Sequence, residues 1–144
     1  MSAVKGVNKT LIDAGGIASQ LAKGLYDARV KCMIDTYEAA ALATGSTISM
    51  CGKLPAGARI VEIALGLDAT LNANNDFSVG DSASAARYGN VVGSGAIINQ
   101  RLETVDGMDY VVGTASGDNQ VVISTTGLSA ATGTIKLAVF YTQD

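Results

Sequence analysis

Residues 133–142 read Gly-Thr-Ile-Lys-Leu-Ala-Val-Phe-Tyr-Thr, and the alternation within them decides the fold class. Ile135, Leu137, Val139 and Tyr141 fall on one side of an extended chain, with Thr134, Lys136 and Ala138 on the other. A period of two marks a β-strand buried on one face, because successive side chains of a strand point in opposite directions. Upstream, Arg59–Asp68 repeats the pattern. Val61, Ile63, Leu65 and Leu67 line a face suited to a core. Ile60, Glu62, Ala64, Gly66 and Asp68 line a smaller, mixed face suited to solvent or to a closely packed neighbour.

Working outward from these two runs, Val30, Cys32 and Ile34 alternate with Lys31 and Asp35, which predicts a strand with Cys32 buried as a free thiol. Tyr37–Ala43 has helix-forming composition but is too short to stand alone as a helix. Further strands are expected at Ser46–Met50, from Phe77 to Val79, and at Val91–Val92, Ala96–Leu102, Tyr110–Gly113 and Gln120–Thr125. Turns fall at Cys51–Gly57, where Pro55 fixes φ and Gly57 supplies freedom, at Asn72–Asp76, at Gly107, at Gly117–Asn119 and from Gly127 to Gly133. The fold class is therefore all-β: an antiparallel β-sandwich of about eight strands, jelly-roll-like.

Residues 1–27 carry no strand pattern. Leu11 and Ile12 precede a Gly15-Gly16 break, after which Ile17, Leu21 and Leu25 recur every fourth position. That spacing fits two turns of amphipathic helix or an extended arm that drops apolar side chains into another subunit. The chain thus divides into an N-terminal arm, residues 1–27, and a β-sandwich domain, residues 28–144.

Charge follows the same division. Residues 1–31 hold Lys5, Lys9, Lys23, Arg29 and Lys31 against Asp13 and Asp27, a balance of +3. The rest of the chain holds five basic groups against 11 acidic ones, a balance of −6. A basic arm beside an acidic body suits docking on an acidic protein surface; a solvated tail with incidental charges is the plainer reading. Nucleic acid is a poor partner, since the acidic body repels phosphate and no basic-aromatic cluster is present. No apolar run approaches the length of a membrane span, and no signal-peptide pattern is present, so the chain is expected to be made in a reducing cytoplasm.

Chemistry has few candidates. There is no histidine, which removes the commonest general base and the usual metal ligand. Cys32 and Cys51 match no CxxC spacing. Glu62 with Asp68, or Asp106 with Asp109, offers paired carboxylates, yet Asp106 and Asp109 flank Gly107 in an evident turn, where Asp serves local hydrogen bonding. Gly93-Ser-Gly-Ala-Ile-Ile98 begins like a dinucleotide fingerprint, but Ile98 stands in place of the third glycine. Asn72, Asn74 and Asp76 alternate like calcium-loop oxygens, with Phe77 where the loop glycine belongs and Ala83 where the bidentate acid belongs. The reading is of a non-enzyme without cofactor or metal.

Four segments carry a family resemblance: Arg29–Ala43 (RVKCMIDTYEAAALA), Gly52–Ile60 (GKLPAGARI), Phe77–Tyr88 (FSVGDSASAARY) and Gly133–Thr142 (GTIKLAVFYT). Together they resemble small virion structural proteins of tailed bacteriophages, and among these the capsid decoration, or cement, proteins. The resemblance implies a β-rich body, often a homotrimer, that sits on the outside of the head and bridges major capsid proteins. The partners it implies are the major capsid protein and further copies of the chain, at the capsid surface of a virion assembled in the host cytoplasm. The candidate attachment residues are those of the arm: Leu11, Ile12, Ile17, Leu21 and Leu25 for apolar contact, with Lys5, Lys9 and Lys23 for steering. Two other readings use the same sandwich. One is a tail, neck or head-fibre component. The other is a carbohydrate-binding module, for which seven aromatic residues and no Trp are a thin supply of stacking surface.

Overall fold

The structure, a computed structural model, describes residues 29–73, 75–102, 104–114, 119–126 and 130–143. The arm and its candidate attachment residues lie outside them. Eight strands follow in order: β1 (Val30–Leu42), β2 (Thr47–Met50), β3 (Arg59–Leu67), β4 (Phe77–Gly80), β5 (Gly89–Val91), β6 (Ile98–Leu102), β7 (Val121–Thr125) and β8 (Ala131–Thr142). A single turn of helix, α1 (Ala69–Asn72), follows β3.

The strands form two four-stranded antiparallel sheets, ordered β1-β8-β3-β6 and β2-β7-β4-β5. Strand pairs β1/β8, β2/β7, β3/β6 and β4/β5 are nested, so the chain is one long hairpin rolled up on itself. The β4–β5 connection is the tip of that hairpin. This is the jelly-roll arrangement of eight strands in two sheets.

β8 is central because its inner row is the core. Ile135, Leu137 and Val139 are fully buried and Tyr141 nearly so, facing Ile48, Phe77, Val79 and Ile123 of the cluster between the sheets. Each such side chain contributes about 1.5–3 kcal/mol by leaving water, set against the conformational entropy lost on folding. Gly133 opens the strand for two reasons. Its φ is +144°, and a Cβ there would stand 3.0 Å from Leu71 Cγ of α1.

The structure differs from the sequence reading at four places. Cys32 is exposed, as are Val30 and Ile34. The register explains it: Met33, Asp35 and Tyr37 lie opposite Val139, Leu137 and Ile135, so they share the inner face and their neighbours point out. Tyr37–Ala43 is not helical, since β1 runs on to Leu42 against β8 and pairing overrides local propensity. In β3 a bulge between Ile60 and Glu62 moves Val61 to the outside and Ile60 into the core. Tyr110–Gly113 is not a named strand, although an isolated bridge links Val111 to Arg59 and backbone hydrogen bonds tie Asp109, Tyr110 and Val112 to Gly57, Ala58 and Ile60.

Candidate interaction surfaces

Among the described residues the structure offers open surfaces and one well-organised loop knot. The knot lies at the hairpin tip. Asp81, whose side chain is wholly buried, accepts hydrogen bonds at Oδ1 from the backbone N–H groups of Ala83 and Ser84, both at 2.9 Å. The same carboxylate receives Arg87 in a two-pronged pair, Nε at 2.5 Å and Nη2 at 3.3 Å. Arg87 lies 4.0 Å over the Tyr110 ring, and Tyr110 meets Tyr88 edge-on at 6.4 Å. Its hydrogen bond to Asp81 pushes the already high guanidinium pKa further up. Thr104 completes the tie: its hydroxyl donates to the Arg87 carbonyl and accepts from the Gly107 N–H. Gly80 is required there, because a Cβ would run into the backbone of Ser84 and Ala85. The motif FSVGDSASAARY is therefore a structural clamp joining the β4–β5 and β6–β7 connections.

A second feature is the outer face of the β1-β8-β3-β6 sheet. Ile34, Ala64, Gly66 and Ala138 floor a shallow groove of about 320 Å³, with Asn99 and Lys136 at its rim. Small side chains here leave the backbone open to close approach. Glu62 and Arg101 form an ion pair at 2.7 Å beside it.

Three of the four carboxylates weighed for catalysis have structural duties. Glu62 is held by Arg101, and Asp68 Oδ2 accepts the Thr134 N–H at 2.8 Å. Asp109 pairs with Arg59 at 3.1 Å. In the loop read as a possible calcium turn, Asp76 Oδ1 accepts the Gly93 N–H at 2.7 Å, and Asn74 lies outside the described residues. No cluster of three His, Cys, Asp or Glu able to hold a metal occurs among the described residues. No described helix is long and apolar enough to cross a membrane, which says nothing of strands.

Both cysteines are free. Cys51 sits at positive φ, and its N–H donates to Asp35 Oδ2 at 2.8 Å. Burial, and then the negative charge of Asp35, push its thiol up from 9.0 to about 11. At pH 8 about one Cys51 in a thousand is then thiolate, the reactive form. With iodoacetamide at pH 8, mass spectrometry is expected to find Cys32 labelled well before Cys51. Cys51 labelling should rise with each pH unit up to about 11. Because the thiol ionises at a lower pH once unfolded, its contribution to stability is complete below about 9 and lost toward 11. Equal labelling of the two thiols at pH 8 contradicts this.

Among the described residues the fold is a jelly roll with a clamped tip, one exposed sheet face and a long edge strand. The fold is similar to that of a chain in the capsid asymmetric unit of cyanophage Pam1, at 23% identity, 81% of this chain against 86% of that one, and a TM-score of 0.66. It is also similar to a chain in the capsid of Ralstonia phage GP4, at 20% identity, 81% against 85%, and a TM-score of 0.55. No protein-family model and no curated protein matches the sequence. At these identities the likeness establishes a shared fold.

Proposed function

We propose that this chain is a virion structural protein of a tailed bacteriophage, a decoration protein that binds the outside of the capsid across junctions between major capsid proteins. The observation that carries the reading is the likeness to chains of two phage capsids over 81% of the sequence. The commitment of Glu62, Asp68 and Asp109 to ion pairs and a backbone bond supports a structural role. The basic arm supplies the attachment, with Leu11, Ile12, Ile17, Leu21 and Leu25 as anchors and Lys5, Lys9 and Lys23 as steering charges.

The mechanism is mass action. A subunit that binds only the assembled shell stabilises it by RT ln(1 + [L]/Kd), about 2.7 kcal/mol per site at a hundredfold excess over Kd. A symmetric oligomer, whether dimer or homotrimer, would present several such attachments at once and bind more tightly than any one of them. The test adds purified chain to capsids that lack it, from the phage whose genome encodes the chain. Saturable binding and a raised temperature of capsid disruption are expected. Absence of saturable binding, or binding with no gain in shell stability, overturns the proposal.

A further inference from the structure

We propose that the free edge of β1 pairs with β1 of a second copy, antiparallel about a two-fold axis, so that the β1-β8-β3-β6 sheets of two copies join into one. Among the described residues β1 pairs with β8 alone, leaving its other edge open along a 13-residue strand. The remaining edge strands, β2, β5 and β6, are 4, 3 and 5 residues long. A long open edge is an invitation to pairing that proteins ordinarily blunt by shortness, proline or a row of lysines. β1 contains no proline and a single lysine, and it exposes Val30 to 56% and Ile34 to 75%; its bulge, between Ala39 and Leu42, lies beyond the stretch from Val30 to Thr36 that pairs.

A second copy is the occupant because the strand complements itself. A two-fold axis normal to the sheet keeps inner faces together, so each residue must meet one of equal parity in the partner strand. With the axis at Met33, Lys31 lies opposite Asp35 of the other copy, twice over. On the outer face Cys32 then meets Ile34, and Val30 meets Thr36. Moving the axis to Asp35 sets that carboxylate against its own copy, and moving it to Ile34 sets Lys31 against Tyr37 with no charge partner. Opposite charges and apolar pairs facing each other across strands each add about 0.2–1 kcal/mol, which selects the Met33 register. An edge contact alone buries little area, so the pairing is weak in solution and gains strength where copies are crowded on a surface. It stands on the edge strand and does not depend on the capsid reading.

The test measures mass and register on the full chain. At about 100 µM, a range in which weak contacts are populated, sedimentation is expected to show a species of twice the 14.6 kDa chain. Two variants then read the register under mild oxidation: M33C, which sets a thiol against its own copy, and I34C, which sets one against native Cys32. Hydrogen-bonded and non-bonded pairs alternate along the ladder, so one of the two lies at the spacing that suits a disulfide. One variant at least should form covalent dimers on a denaturing gel, while the wild type does not. Ile34→Lys, at a position three-quarters exposed, should abolish the dimer without unfolding the chain, and K31E should weaken it at least tenfold. A monomer at this concentration overturns the pairing. So does a trimer in which neither variant cross-links, because a closed ring of three needs a different contact.

Discussion

Deletion of residues 1–27 is expected to leave a folded sandwich that no longer binds capsids. Every side chain of the described core, from Ala39 to Tyr141, lies outside the arm, so the truncated chain keeps all of them. Thermal unfolding of the shortened chain should therefore stay within a few degrees of the full chain. Binding should fall at least a hundredfold, since five apolar anchors worth about 1.5–3 kcal/mol each are removed together and about 2.7 kcal/mol already corresponds to that factor. Replacing only Leu21 and Leu25 with Ala should give an intermediate loss. Replacing Lys5, Lys9 and Lys23 with Gln should slow association and reduce its salt dependence, leaving the dissociation rate nearly unchanged. If the truncated chain binds as well as the full one, attachment belongs to the sandwich and not to the arm.

Asp81→Ala is expected to cost about 3 kcal/mol, the scale on which breaking one partner of a buried ion pair acts. The substitution strands the Arg87 guanidinium and removes the acceptor for two loop N–H groups. For a domain of this size the melting temperature should drop by roughly 10 °C. Asp81→Asn keeps an acceptor at the Oδ1 position and should cost less. Arg87→Lys should not behave as the wild type, because a lysine has no two-pronged fork to match the carboxylate. The control is Arg59→Ala. Its partner Asp109 is more than half exposed, so the loss should stay below about 1 kcal/mol. Equal effects at Asp81 and Arg59 would show that the clamp is not what holds the hairpin tip.

The sequence made the two best strands plain because each has one face sealed in the core. In β8, Ile135, Leu137 and Val139 declare that face at once, and Arg59–Leu67 nearly does. What failed there was the pair Ile60 and Val61: a bulge shifts the phase between them and Glu62, and a bulge is set by the partner strand. β1 was misread in its facing for a related reason. Its outer row, Val30, Cys32 and Ile34, is as apolar as an inner one, and only the register against β8 tells them apart. The Asp81 clamp was invisible because its members come from two connections, with Thr104 and Tyr110 far along the chain from Asp81. The Asp-x-Ala-Ser turn was there to be read; its arginine and tyrosine partners were not.

The central claim, a structural role on the capsid exterior, is tested most directly by a reconstruction of the intact particle at a resolution that shows side chains. The expected result is a jelly roll on the outer surface at a copy number tied to the capsid lattice, with residues 1–27 against the major capsid protein. A particle whose shell lacks this fold, or that holds it in a few copies at the tail or neck, would contradict it.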